Sequence, residues 1–156
     1  MKGFSWRCIL SWVLICACCI GWSGSPALAQ QPKLSPEPRV ALGGYDPITY
    51  FNPGRPEKGT AQFSFAFDDT VYWFKSSENR AAFVADPERF APQYRGYCAL
   101  TLAAGMKAEA DPEAWSISNG KLYVFGAKIG TPTFNANSAE IIGKANLNWK
   151  KLQEPN

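Results

Sequence analysis

Residues 62–74 alternate between aromatic and smaller side chains, a pattern typical of a β-hairpin. The turn falls at Asp68-Asp69, which interrupts the apolar positions. With a two-residue turn, four aromatic side chains share one face, with Phe63 opposite Phe74 and Phe65 opposite Tyr72. An aromatic face of this size predicts part of the hydrophobic core.

A second hairpin is indicated by Asn119-Gly120, because this dipeptide favours the tight turn that joins two antiparallel strands. Apolar residues alternate on both sides of the turn, in residues 115–118 and 121–125. Pairing across the turn places four side chains on one face: Trp115, Ile117, Leu122 and Val124.

Two further segments have helical patterns. Ser76-Ser77-Glu78 predicts a helix start, and Asp86-Pro87 ends that helix and begins another short turn. Residues 138–152 carry apolar side chains at helical spacing, at Ile141, Ile142, Ala145, Trp149 and Leu152. The order of these elements predicts an α+β fold: a small single domain, residues 40–152, with two β-hairpins and several helices including a C-terminal helix. The sequence shows no evident internal repeat.

Residues 1–29 have the pattern of a secretory signal peptide. Lys2 and Arg7 lie at the charged start, and Ala27-Leu28-Ala29 offers small residues for cleavage after Ala29. An uncleaved anchor is the alternative, but the apolar stretch is shorter than the roughly 20 residues that a spanning helix needs. A lipoprotein site at Cys16 is a third option, in a weaker sequence context.

Residues 30–39 are rich in proline, which predicts a flexible N-terminus ahead of the domain. The protein is therefore expected in the periplasm or secreted, with no membrane span once the signal peptide is removed.

Composition narrows the possible functions. The 156 residues include no histidine, which excludes histidine-dependent triads and histidine metal sites within the chain. Without Lys2 and Arg7, 14 basic residues face 13 acidic ones, so no charge excess supports nucleic-acid binding. Four of the five cysteines lie in the signal peptide, and Cys98 alone remains, so no intramolecular disulfide is expected.

Six motifs occur in order between residues 40 and 149. They are Gly44-Tyr45-Asp46-Pro47-Ile48-Thr49-Tyr50-Phe51, Tyr72-Trp73-Phe74-Lys75-Ser76-Ser77-Glu78-Asn79-Arg80, the spaced residues Phe83, Asp86-Pro87, Phe90, Pro92 and Tyr94, then Gly96-Tyr97-Cys98-Ala99, Asp111-Pro112-Glu113-Ala114-Trp115 and Gly120-Lys121-Leu122-Tyr123. In this series the chain resembles the exported YHS-domain proteins, a branch that includes selenoprotein relatives.

The resemblance has two chemical implications. In YHS domains that bind metals, paired cysteines occupy the positions that are Lys75 and Asn79 here. Because a lysine cannot replace a thiolate ligand, no metal or other cofactor is predicted. The selenocysteine of some relatives is expected to align with Cys98, which implies redox chemistry. Arg95 departs from the pattern, since relatives usually have glycine there.

Two local structures are open for Cys98. In a strand over residues 96–102 it would face the core with Leu100 and Leu102. In a helix over residues 97–104, closed by Gly105, it would lie in the first turn, where the helix dipole and Arg95 would stabilise a thiolate. Within the predicted mature chain, neither a histidine nor a second cysteine is present to assist the thiol.

The remaining candidates are polar residues near aromatic ones. The Asp-Pro steps at Asp46, Asp86 and Asp111 are interpreted as helix caps or Asx turns. Tyr94, Arg95, Tyr97 and Asp46 form the candidate binding pocket.

The sequence therefore predicts an exported YHS-like binding or accessory module with no self-contained catalytic machinery. Its partner is an unidentified protein or small ligand, and nucleic acid is not expected. The alternative is a thiol-dependent oxidoreductase that uses Cys98. The sequence therefore leaves open whether the protein is an enzyme, and it favours a protein that is not one.

Overall fold

The computed structural model describes residues 38–153, and the predicted signal peptide lies outside them. The strands are β1 (Arg39–Val40), β2 (Thr60–Phe67), β3 (Thr70–Phe74), β4 (Asp111–Ser118) and β5 (Lys121–Phe125). The α-helices are α1 (Ser77–Ala85), α2 (Pro87–Phe90), α3 (Ala99–Ala103), α4 (Gly130–Ala136) and α5 (Ser138–Gln153). A three-stranded and a two-stranded sheet pack with these helices, so the predicted α+β class is confirmed. None of the helices within residues 38–153 has both the length and the apolar character that crossing a membrane requires.

The first hairpin forms at Asp68-Asp69, where both residues have positive φ, 50° and 53°. Phe65 pairs with Tyr72 as predicted, and the sheet is extended by β1, which runs parallel to β3. The predicted pairing of Phe63 with Phe74 is wrong, because a bulge between Thr60 and Ser64 makes Thr60 the partner of Phe74. The aromatic side chains nevertheless pack in one cluster.

The second hairpin agrees with the prediction. Asn119 and Gly120 have φ of 51° and 71°, as a type I′ turn requires. Trp115 pairs with Val124 and Ile117 with Leu122.

The helices begin where the sequence predicts. Ser76 caps α1 by accepting a hydrogen bond from the Asn79 N–H group at 3.2 Å. In α5, Ile141 and Ala145 are buried, whereas Leu152, at the end of the same helical spacing, is 43% exposed. Helix α4 was not predicted, because its Gly-Thr-Pro-Thr start consists of weak helix formers.

The structure shows a repeat of backbone conformation that is not evident in the sequence, and this repeat begins with two left-handed turns. Residues 42–44 have φ of 54°, 54° and 81°, and residues 94–96 have φ of 57°, 56° and 81°. Each turn is followed by an extended tyrosine, Tyr45 or Tyr97, whose N–H group donates to the carbonyl three residues earlier at 3.0 or 3.1 Å. The two turns therefore share one backbone conformation.

The residue after each tyrosine is a buried hydrogen-bond acceptor that precedes a short helix. Asp46 is 0% exposed and Cys98 is 2% exposed. The Asp46 carboxylate accepts the N–H group of Lys75 at 2.8 Å, and the Cys98 thiol accepts that of Gly126 at 3.2 Å. Lys75 and Gly126 both follow the second strand of a hairpin directly. Cys98 is therefore the structural counterpart of Asp46.

The helices after the hairpins complete the repeat. The ring centroids of Phe83 in α1 and Tyr72 in β3 lie 5.0 Å apart, with an interplanar angle of 35°. Phe134 of α4 lies 5.0 Å from Tyr123 of β5, also at 35°. Each hairpin also carries its bulge at the same place, four pairs from the turn. Residues 39–90 and 93–153, called the two halves below, thus share a turn, a short helix, a hairpin and a following helix, whereas β1 and α5 have no counterpart in the other half.

The two halves share their cores through β5. One hydrophobic cluster surrounds Phe83 and the other surrounds Phe134. Leu122 and Val124 belong to the first cluster, whereas Tyr123 and Phe125 belong to the second. Successive side chains of β5 therefore join the two clusters.

Candidate functional site

A cleft of about 560 Å³ opens where the two halves meet, and it is called the junction cleft below. Aromatic side chains from both halves line it: Phe67, Tyr72, Tyr94 and Trp149. Charged side chains line it as well: Asp68, Glu88, Arg95 and Lys121. Polar atoms make up the larger part of the exposed lining, so the cleft presents mainly hydrogen-bonding groups to solvent.

Tyr94 is held firmly in the wall of the junction cleft. It is 7% exposed, and its hydroxyl donates to Asn146 Oδ1 of α5 at 2.9 Å. Its ring packs edge to face against Trp149, with centroids 5.9 Å apart. Burial raises the pKa of Tyr94 well above its usual value, so the phenol is neutral at physiological pH.

Arg95 fastens the first hairpin to the second half. Its Nε and Nη2 donate to the Asp68 carboxylate at 2.9 and 2.6 Å, and Nη2 also reaches Asp69 at 3.2 Å. The guanidinium lowers the pKa of Asp68 by this hydrogen bond. Within residues 38–153 the ion-pair partners of Arg95 are these two aspartates, so Arg95 is not placed to stabilise a Cys98 thiolate as the sequence suggested.

Tyr97 lies beside the junction cleft rather than in its lining. The Arg39 guanidinium carbon is 4.0 Å from the Tyr97 ring centroid, and Lys107 Nζ is 4.5 Å from it. Trp149 touches both regions, with its ring 6.0 Å from that of Tyr97. Tyr97 therefore carries a half-buried cation–π stack next to the cleft.

Asp46 lies apart from the other three candidate residues. Its carboxylate accepts hydrogen bonds from the Ile48 N–H, the Lys75 N–H and Asn79 Nδ2 at 2.8, 2.8 and 2.6 Å. The Lys75 ammonium pairs with Glu57. The two positions that the resemblance connects with metal cysteines thus surround Asp46, where they donate hydrogen bonds. Of the predicted pocket, the structure brings Tyr94 and Arg95 together and leaves Asp46 outside.

The Asp-Pro steps have the structural roles that were predicted. Asp46 and Asp86 accept N–H groups at the starts of short helices. Asp111 Oδ1 accepts the Glu113 N–H group at 2.9 Å, which is an Asx turn.

Cys98 precedes helix α3 and is sealed in the second hydrophobic cluster. A helix forms here, as one alternative predicted, but it spans Ala99–Ala103, so Cys98 precedes the first turn instead of lying in it. Gly105 follows the helix with φ of 85°. Leu102 and Phe125, both 0% exposed, belong to the same cluster as the thiol. Since Cys98 is 2% exposed, a substrate cannot reach its sulfur without an opening of the fold.

We expect alkylation of native Cys98 by iodoacetamide to be slow, and fast only in denaturant, because the thiol must first become accessible. Peptide mapping by mass spectrometry measures the labelled fraction with time and pH. A matched control is Cys98→Ser with Ala104→Cys, which places a thiol at an exposed position of the same segment. Native Cys98 that reacts as fast as this control at neutral pH would instead favour the oxidoreductase alternative.

Sequence reasoning missed several cleft residues. Tyr72 and Trp149 have the patterns of core residues, and Lys121 and Asn146 those of surface residues. No local signal distinguishes them, because the cleft arises from the meeting of two halves.

Neither the comparisons with known proteins nor the metal-ligating residues test the resemblance to YHS-domain proteins. Within residues 38–153 no three acidic or cysteine side chains cluster as metal ligands would. No protein-family model, curated protein or solved structure matches the chain. The resemblance to YHS-domain proteins and the predicted signal peptide therefore stay predictions.

Proposed function

We propose that the protein is an exported binding module that holds a small ligand in the junction cleft and has no catalytic machinery of its own. The observation that carries this proposal is the cleft itself, with aromatic walls from both halves and polar groups fixed by hydrogen bonds. A preformed site of this kind binds without a large ordering cost.

The chemistry of the cleft supports binding more than catalysis. Arg95 and Asp68 neutralise each other in a two-point ion pair. Lys121 Nζ donates to the Glu88 carbonyl at 2.8 Å, and no histidine exists in the sequence to move protons. These groups are suited to orienting a ligand.

The predicted signal peptide supports a function in the periplasm or outside the cell. The ligand is therefore one that the protein meets after export. The thiol-dependent alternative requires an accessible Cys98, and the alkylation experiment decides it.

The proposal is tested by an NMR fragment screen against the isotope-labelled protein. We expect fragments to shift the amide signals of cleft residues, because a preformed site of this size accommodates them. Trp149→Ala, which removes one wall, should weaken these fragments about tenfold. Leu147→Ala is the control, since Leu147 is 65% exposed on the same helix and outside the cleft lining. A screen with no fragment at the cleft would overturn the proposed function.

A further inference from the structure

Tyr72 places a hydroxyl in the junction cleft that has no hydrogen-bond partner within residues 38–153. The residue is 1% exposed. Of the three other buried tyrosines, Tyr50 donates to the Pro112 carbonyl at 2.8 Å and Tyr94 donates to Asn146, whereas Tyr123, outside the cleft lining, has no partner in residues 38–153. Buried hydroxyls are normally hydrogen-bonded, because leaving one unpaired is costly.

The Tyr72 hydroxyl is not closed off inside the core. Among the described residues, no fully enclosed side-chain oxygen or nitrogen lacks a partner. Tyr72 lines the cleft, and its hydroxyl has no partner in residues 38–153. An atom of a ligand in the cleft could therefore accept the hydrogen bond that the Tyr72 hydroxyl can donate. Burial also raises the pKa of Tyr72 far above its usual value, so the hydroxyl keeps its proton and is available as a donor.

Gln93 in the cleft lining offers both a donor and an acceptor, and the other free side-chain groups are mainly donors. Arg95 uses Nε and Nη2 for the aspartates, which leaves Nη1 without a partner in the described part of the chain. Asn146 accepts from Tyr94 through Oδ1, which leaves its Nδ2 free there. Lys121 Nζ gives one of its three protons to a carbonyl.

Acceptors in the cleft are fewer or better solvated. Both Asp68 oxygens already accept from Arg95. Glu88 is exposed to solvent, where its charge is screened. The balance of unused groups therefore favours a ligand that accepts hydrogen bonds.

We propose, on the basis of the proposed binding function, that the ligand is a small carboxylate on a flat, apolar body. The carboxylate accepts hydrogen bonds from Tyr72 and Arg95, and the body lies against Trp149 and Phe67. Carboxylates match this donor set, because their two oxygens can accept one hydrogen bond from the Tyr72 hydroxyl and one from the free Nη1 of Arg95.

The internal repeat supplies a matched control for Tyr72. Tyr123 is its counterpart in the second half, with the same packing on a phenylalanine. It is 5% exposed, its hydroxyl likewise has no partner in residues 38–153, and it does not line the cleft. Tyr72→Phe and Tyr123→Phe thus remove the same atom from equivalent surroundings.

The experiment measures binding of phenylacetate and indole-3-acetate, together with their neutral amides, by NMR titration. We expect each carboxylate to bind more tightly than its amide. Tyr72→Phe should weaken the carboxylates about 3- to 10-fold, the effect of one lost hydrogen bond, and Tyr123→Phe should leave them unchanged. Both variants should unfold at the temperature of the unaltered protein or above it, since neither hydroxyl has a partner to lose.

A fragment library with equal numbers of carboxylates, amines and neutral compounds tests ligands whose apolar part differs from those of phenylacetate and indole-3-acetate. Enrichment of carboxylates at the cleft, lost in Tyr72→Phe, supports the inference. Fragments that bind the cleft without such enrichment, or that are insensitive to Tyr72→Phe, would overturn the carboxylate class and leave the binding function intact. A library with no fragment at the cleft would overturn the binding function itself.

Discussion

Replacing Asp46 with alanine is expected to lower the free energy of unfolding by about 3–5 kcal/mol, because three hydrogen-bond donors lose their acceptor at once. The carboxylate is 0% exposed, so water cannot replace it without an opening of the fold. The Ile48 N–H group would be left unpaired in the core, and the part-buried Lys75 N–H group and Asn79 amide would lose a charged acceptor. Each unpaired buried donor costs about 1–3 kcal/mol.

Urea denaturation followed by circular dichroism measures this loss. Asp86→Ala is the matched control, because Asp86 also precedes a proline and caps a short helix but is exposed. Its loss should cost only about 1 kcal/mol. Equal effects of the two substitutions would show that the Asp46 hydrogen bonds do not hold the first half together in the way the geometry indicates.

In both halves, the residue after the tyrosine accepts the N–H group that follows a hairpin, but the accepting group is a carboxylate in Asp46 and a thiol in Cys98. In the first half, the acceptor meets a side-chain donor, Asn79, and a carboxylate satisfies it. In the second half, the position equivalent to Asn79 is Gly130, where an added Cβ would lie 2.8 Å from Leu100 Cδ1. Leu100 therefore closes the space that a polar side chain uses in the first half. With one N–H group left to accept, a thiol is sufficient, and Cys98 suits the apolar surroundings.

Local signals explain how much of the fold was predictable. Asp68-Asp69 and Asn119-Gly120 fix their turns by their own backbone preferences, so both hairpins were predicted. Ser76 and Asp86 mark helix starts for a similarly local reason. The bulge opposite Phe74 depends on packing across the sheet, and the sequence carries no comparable signal for it.

The repeat and the cleft depend on distant parts of the chain. Gly44-Tyr45 recurs as Gly96-Tyr97, but few other identities connect the halves, because equivalent positions conserve backbone conformation rather than residue type. Arg95 was recognised as unusual, yet its pairing with Asp68 requires the first hairpin to fold against the second half. Sequence reasoning also placed Tyr72 in the core, where its ring does lie, and gave no indication that its hydroxyl lacks a partner.

Replacing either Phe83 or Phe134 with alanine is expected to lower the free energy of unfolding by about 3–5 kcal/mol, since both rings are 0% exposed and each lies at the centre of a cluster. The losses should be similar, because the two rings pack in equivalent ways on Tyr72 and Tyr123. Both variants should still unfold in a single transition, because successive residues of β5 belong to different clusters.

Tryptophan fluorescence and circular dichroism, recorded on the same urea titrations, test both expectations. Trp115 packs against the first cluster and Trp149 against the second. Variants of residues 30–156 that carry Trp73→Phe and retain only one of these two tryptophans therefore report on one cluster. Leu147→Ala, at an exposed position, should change the free energy of unfolding by no more than about 0.5 kcal/mol. If Phe134→Ala lost the Trp149 signal at a lower urea concentration than the Trp115 signal, the halves would be separate folding units. The junction cleft would then depend on a weaker contact between them, and its occupant would be expected to raise the midpoint of the second half alone.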